Sequence, residues 1–221
     1  MSVSSTNTLH VYESPPMSMA GDEDRIRGNV YALLGNLLAG PPDRALLDLL
    51  AESTPEPGDE SLLAASWQML AVAAQRADVG ALREEYDALF IGIGRGDVVP
   101  YGSWYLTGFL MEQPLAQLRG DLRVLGITRQ PGVREPEDHV AALCDTMALL
   151  IAGDTPATIE QQYEFYSRHL EPWVPKFFRD LQAAPSARFY RAVGQLAEQF
   201  IGVESQAFRV MTPAAGGAAL S

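Results

Sequence analysis

The sequence predicts an all-α fold: a single-domain bundle of about nine or ten helices. Three observations predict it. Apolar residues recur at helical spacing along most of the chain. No segment alternates apolar and polar residues as a half-buried strand would, and no Asn-Gly or Asp-Gly pair marks a hairpin. The 221 residues are 47% hydrophobic and 20% charged, a globular composition in a chain long enough for one sizeable core.

The elements follow in chain order. Residues 1–20 are rich in Ser, Thr and Pro without periodicity and read as a disordered arm. Ile26, Val30, Leu33, Leu34, Leu37 and Leu38 then share one helical face, and Gly40-Pro41-Pro42-Asp43 stops that helix. A short helix covers "RALLDLL". After the break "STPEPGDE" a longer one runs from about Ser61 to Ala77. "GALREEYDALFIG" forms another, with Leu82, Tyr86, Leu89 and Phe90 on one side. "GIGRGDVVPYGS" is a loop. Helices resume near Trp104, Pro114 separates two of them, and Gly126 fits a helix C-terminus. After the loop "TRQPGVREP" a helix beginning at Pro136 places Val140, Leu143, Cys144, Met147, Leu150 and Ile151 on one face, and "AGDTPA" ends it. Three more helical stretches lie near 157–169, 173–183 and 186–205. The expected organisation is a disordered arm over 1–20, one helical domain over 21–205 and a disordered tail over 206–221. No period marks a solenoid.

The net charge of −12 argues against binding a nucleic-acid backbone, which requires clustered Lys and Arg. It suits a basic partner such as an Arg-bearing peptide, and equally it only keeps the protein soluble. The single cysteine, Cys144, excludes an intrachain disulfide and reads as a buried structural thiol. The N-terminus lacks an export signal and no apolar run approaches the ~20 residues that span a bilayer. A cytoplasmic protein without membrane insertion is expected.

Chemistry concentrates in Glu135-Pro136-Glu137-Asp138-His139. Pro136 suits a first helical position, and Glu137 and Asp138 would then meet the positive end of the helix dipole. That accounts for the acids without catalysis but leaves His139. A zinc site is poorly supplied: Ala142 and Leu143 stand where a second ligand would, His169 is distant, and Cys144 lies on the apolar face. An Asp138/His139 hydrolase, metal- or nucleotide-dependent, would want a nucleophile, and Ser103 sits in no nucleophile-elbow pattern. Gly92, Gly94 and Gly96 look like a phosphate cradle, but they follow a helix and open into "DVVPYGS", so a loop is the better reading. Tyr101 and Trp104 straddle a Pro/Gly loop beside acidic residues, which suits a peptide groove.

"YDALFIG", "PYGSWY", "EPEDHVAALCDTM" and "HLEPWVPKFFRDL", in this order, resemble the TorD/DmsD family of redox-enzyme maturation chaperones over roughly residues 25–205. The order of the EPxDH segment after the PYxS loop is the specific part. The resemblance implies an all-helical TorD-like domain without catalytic turnover or a cofactor of its own. It implies a cytoplasmic chaperone that binds the twin-arginine signal peptide, or another segment, of a molybdenum-containing oxidoreductase. Such a chaperone holds the enzyme until its molybdopterin cofactor is inserted and export follows. It leaves room for weak contact with guanine nucleotide or molybdopterin, and for a monomer or a homodimer, domain-swapped in some members. Peptide binding in the family maps here to Tyr86, Leu89 and Phe90, to Pro100 and Tyr101 with Ser103 nearby, and to Pro136, Asp138 and His139. Asp138 and the loop acids would face the arginines, and His139 would fix that carboxylate or modulate its charge. His169–Trp173 reads as structural. Some members carry Trp at the Tyr86 and Tyr101 positions, and "GIGRG" is richer in glycine than the family pattern.

Overall fold

The computed structural model describes residues 21–211, apart from 54, 56–57, 93–95, 130–131, 133–134 and 154–155. The expected arm over 1–20 and residues 212–221 therefore lie outside the described residues.

Among the described residues the chain forms ten α-helices and one π-helical turn: α1 (Asp22–Ala39), α2 (Arg44–Glu52), α3 (Leu62–Gln75), α4 (Val79–Tyr86), the π-turn (Asp87–Ile91), α5 (Gly102–Thr107), α6 (Gln113–Val124), α7 (Val140–Ala152), α8 (Ile159–His169), α9 (Val174–Ala183) and α10 (Phe189–Met211). The only β pairing among them is an isolated antiparallel bridge between Tyr101 and His139. None of these helices is long and apolar enough to cross a membrane.

Local chemistry sets the starts. The side chains of Asp43, Ser61 and Asp78 accept hydrogen bonds from the backbone N–H groups of Leu46, Ala64 and Ala81, and Thr158 with Gln161 forms a capping box for α8. Pro114 stands in the first turn of α6, and Gly126 past its end adopts φ 73°.

Helix α7 is apolar nearly all round and forms the centre, with α1 packed along it. Two glycines of α1 make that approach: a Cβ at Gly28 would come within 2.9 Å of Ala152 Cβ, and one at Gly35 would run into the Asp145 carboxylate. Helices α9 and α10, packed on each other, contribute Phe177, Phe178, Tyr190, Val193 and Leu196 to the core, all fully buried. Each such side chain contributes roughly 1.5–3 kcal/mol on leaving water. Arg27 ties the far end together. Its Nε donates to Glu204 Oε1 at 2.7 Å and its Nη2 to Gln162 Oε1 at 3.4 Å, linking α1 with α10 and α8.

Two expectations need correction. The tail was expected from residue 206, but α10 continues to Met211, because Phe208 stacks on Tyr166 with ring centroids 5.0 Å apart and is buried. The central helix was expected to begin at Pro136, but α7 begins at Val140 with His139 as its N-cap. His139 has extended backbone (φ −65°, ψ 136°) because it pairs with Tyr101, which keeps Pro136–Asp138 out of the helix.

Candidate functional site

The site grows from a seam between two segments far apart in sequence. Residues 97–103 return along the π-turn and then pair with residues 138–140. In the π-turn the Gly92 N–H bonds the Asp87 carbonyl, and the carbonyls of Ala88 and Leu89 accept instead from the N–H groups of Asp97 and Val98 at 3.1 and 3.0 Å. Gly96 makes this return possible. A Cβ there would stand 2.7 Å from the Leu89 carbonyl carbon and 2.8 Å from that of Phe90. Of the glycine run, Gly94 lies outside the described residues, and Gly96 is buried against backbone. The loop glycine serves close packing at that point.

The second half of the seam is a reciprocal set of hydrogen bonds. Val140 N–H donates to the Pro100 carbonyl at 2.9 Å, Gly102 N–H to the Asp138 carbonyl at 2.9 Å, and Ser103 N–H to Asp138 Oδ2 at 2.8 Å. Asp138 thus holds the first turn of α5. Its other oxygen, Oδ1, is buried with no partner among the described residues. Ser103 is fully buried and its hydroxyl accepts from Met111 N–H at 3.2 Å. Met111 is the one non-glycine residue with positive φ among the described residues, so Asp138 and Ser103 together shape the turn after α5.

His139 Nδ1 accepts from Ala141 N–H at 3.1 Å, capping α7. Burial pulls its pKa down to about 4, against the opposing pull of Glu135 and Asp138, so the ring is neutral near pH 7. No hydrogen bond joins Asp138 to His139, and neither is accessible: their exposures are 3% and 7%. The arrangement is a pair of braces rather than an acid–base dyad. Among the described residues no group of three or more His, Cys, Asp and Glu is placed to hold a metal ion.

The three carboxylates of the segment have three fates. Asp138 goes inward. Glu137 pairs with Arg119 at 2.8 Å and lies 3.9 Å from Arg129; burial raises its pKa, but these arginines win and lower it. Glu135 is exposed and accepts from the Tyr101 hydroxyl.

The aromatic side of the site gathers around Tyr86. Its ring centroid lies 4.9 Å from that of Phe90 and 5.8 Å from that of Tyr190, and its hydroxyl donates to the Leu38 carbonyl. Burial first, then the charges of Glu135 and Asp87, pushes its pKa up to about 12. Tyr101 is raised too, by burial, by its bond to Glu135 and by the nearby Asp138 and Tyr86. These couplings place Tyr86, Tyr101, Glu135 and Asp138 in one neighbourhood. The Tyr101 ring meets the His139 ring edge-on at 5.1 Å.

The structure therefore divides the nine expected residues into two groups. Tyr86, Leu89, Pro100, Ser103, Asp138 and His139 are buried framework. Phe90, Tyr101 and Pro136 are part-exposed and can touch a partner. Asp138, expected to face arginines, is turned away from solvent. The acids that do reach solvent nearby are Glu135 and Asp87, and Ile91, 62% exposed, extends the apolar surface beside Phe90. Glu135 was legible as the residue before Pro136; the exposure of Ile91 follows from the π-turn, which no spacing rule announces. His169 and Trp173 are structural: His169 Nε2 lies 2.8 Å from Asp121 Oδ2, and Trp173 Nε1 donates to the His169 carbonyl at 2.7 Å. Cys144 is fully buried and its thiol pKa is pushed far up by burial, so it is an inert core residue.

A family model described as the nitrate reductase delta subunit matches residues 56–179, a stretch that contains all nine of these positions. The chaperone protein TorD of Vibrio cholerae serotype O1 is 30% identical over 129 residues, covering 54% of this chain. The match spans 59% of that relative's length. TorD of Shewanella loihica is 24% identical over 207 residues, covering 83% of this chain and 93% of the relative. A crystal structure from Archaeoglobus fulgidus, described as that of a redox enzyme maturation protein, superposes with a TM-score of 0.55 at 17% identity. It covers 88% of this chain and 99% of its own, and speaks for the fold.

Proposed function

The chain belongs to the nitrate reductase delta subunit family, the family of the TorD chaperones, and from that premise we propose that it is a cytoplasmic chaperone for the maturation of a molybdenum-containing oxidoreductase. It binds the twin-arginine signal peptide, or another segment, of that enzyme. It holds the enzyme back until the cofactor is inserted and export can follow. It turns nothing over.

One observation carries this reading: part-exposed Tyr101 donates to exposed Glu135, next to part-exposed Pro136, while part-exposed Phe90 stacks on Tyr86 beside exposed Asp87, and backbone hydrogen bonds hold both segments. A preorganised apolar surface with acidic edges suits an extended peptide that carries both apolar and basic residues. Two or three apolar anchors, each worth roughly 1.5–3 kcal/mol, less the cost of ordering the peptide, leave about micromolar affinity. The acids orient the arginines more than they add affinity.

The test is titration calorimetry of the full chain with a synthetic twin-arginine leader from the source organism's molybdoenzymes. Saturable binding that weakens in Tyr101→Ala and Phe90→Ala supports the proposal. No binding to any such leader or catalytic subunit contradicts it.

A further inference from the structure

From Val98 to Met111 the chain carries no charged side chain. The first half of that stretch is the seam of the candidate site. The second half runs through α5 into the turn before α6, and there four large apolar side chains reach solvent: Leu106 is 43% exposed, Phe109 68%, Leu110 49% and Met111 73%. Nowhere else among the described residues do more than two large apolar side chains stand exposed within six positions. Single exposed apolar residues are ordinary, whereas a contiguous cluster marks a contact surface. Hydrogen bonds fix this turn. Gly108, with φ 83°, donates its N–H to the Trp104 carbonyl at 2.8 Å. Thr107 Oγ1 donates to the Ser103 carbonyl at 2.8 Å and accepts from Phe109 N–H at 3.2 Å. Met111 N–H donates to Ser103 Oγ at 3.2 Å, and Met111 takes φ 60°, a left-handed conformation unfavourable for so bulky a residue.

We propose that this turn is a second contact surface for the client, taking an apolar run of the segment whose basic residues lie at Tyr101 and Glu135. The inference rests on the client reading above and adds to it a place for that run. Three features favour this occupant. The first is continuity. Tyr101 is the N-cap of α5, whose six residues make a helix about 9 Å long. The bond from Met111 ties the turn back to Ser103, so it lies within about 10 Å of Tyr101, a span that an extended peptide covers in about three residues. The second is polarity. The Tyr101 end carries the exposed carboxylate of Glu135, and from there to Met111 α5 and its turn offer no charge. A segment with its arginines beside an apolar run matches that order. The third is what other occupants would need. A lipid surface is held by basic residues around the apolar tip, but the net charge is −12 and no Lys or Arg lies between residues 96 and 118. A second copy needs about 800 Å² from each partner for a stable pairing, more than four side chains on six consecutive residues supply.

Titration calorimetry of the full chain tests it with two synthetic peptides: a twin-arginine leader, and the same leader with its apolar run replaced by serine and glycine. The double variant Phe109→Ser/Leu110→Ser removes two exposed side chains and keeps every backbone bond of the turn, with circular dichroism as the folding control. The parent protein should bind the intact leader more tightly than the replaced one. The double variant should bind the intact leader about ten-fold more weakly, and the replaced leader as the parent does. If the variant unfolds, or the replaced leader binds too weakly to titrate, a leader carrying benzophenone in its apolar run decides the matter: it should label residues 106–111 of the parent. Equal affinity of parent and variant for the intact leader overturns the inference, and so does equal weakening towards both peptides, or labelling confined to other segments. In each of these cases the client reading stands if Tyr101→Ala still weakens binding. A parent that binds no leader overturns both. Self-association of the parent, or its binding to phosphatidylcholine vesicles, that is lost in the double variant while leader binding is kept overturns the inference in favour of a second copy or a lipid surface.

Discussion

Replacing Asp138 by alanine separates bracing from contact. The substitution removes the acceptor for Ser103 N–H, a 2.8 Å bond to a carboxylate oxygen, and Ser103 is fully buried, so the N–H gains no water in exchange. Losing a hydrogen bond to a charged group costs about 1.5–3 kcal/mol. Against this, the buried and unpartnered Oδ1 disappears too, which returns about 1 kcal/mol of desolvation. The net loss is about 0.5–2 kcal/mol, or about 1–8 °C in Tm for a chain of this size. Asp138→Asn keeps an acceptor and should lose about half as much. The assay pairs thermal unfolding with peptide titration at several salt concentrations. If Asp138 only braces α5, peptide affinity in Asp138→Asn keeps the salt dependence of the parent protein, whereas Glu135→Gln flattens it. The reasoning is refuted if Asp138→Ala unfolds at the parent temperature while Asp138→Asn removes the salt dependence, because the carboxylate would then be touching the client's arginines.

Other consequences follow from the same contacts. Gly96→Ala forces a Cβ into the Leu89 and Phe90 backbone, so it should cost about 2 kcal/mol or more in a denaturant melt and weaken peptide binding with it. The pH profile has two opposed parts. His139, held near 4 against an unfolded value of about 6.5, contributes stability that is complete above about pH 6.5 and lost as pH falls towards 4. Asp145, raised to about 7 by burial against an unfolded value near 3.9, contributes the reverse: its penalty is full above pH 7 and fades as pH falls towards 4. Asp145→Asn should therefore stabilise the protein at pH 8 by about 1–3 kcal/mol and steepen its loss of stability below pH 6.5, both read from urea midpoints. Arg27→Met strands Glu204, which is 1% exposed, and should cost about 3–5 kcal/mol.

Most of the helices were legible in the chain because their signals are local. Asp43, Ser61, Asp78 and Thr158 cap helices where N-cap residues should stand, and Pro114 and Gly126 bracket α6. What local pattern could not supply is pairing between distant segments. His139 looked like a helical residue because it precedes an apolar run, yet its bridge to Tyr101, across 37 intervening positions, makes it a cap. Ile26 matched the apolar period of α1 and is 62% exposed, while Arg27 beside it is buried against Glu204. A charge that finds its partner 177 residues away leaves no trace in its own neighbourhood. For the site, the resemblance named nine residues, and burial separates the six that lie inside from Phe90, Tyr101 and Pro136, which are part-exposed. The acids of the EPxDH segment looked equivalent, and only the folded chain distinguishes inward Asp138, arginine-bound Glu137 and outward Glu135.

The most direct test of the proposed client-binding surface is photo-cross-linking of the full chain to a twin-arginine leader peptide, with a benzophenone side chain placed in turn at Phe90, at Tyr101 and, as a control, at Ile26, which is 62% exposed at the Arg27 end of α1. Adducts from positions 90 and 101, competed away by unlabelled leader, and none from 26 are expected. Adducts from 26 alone, or equal labelling from all three, would contradict the proposal.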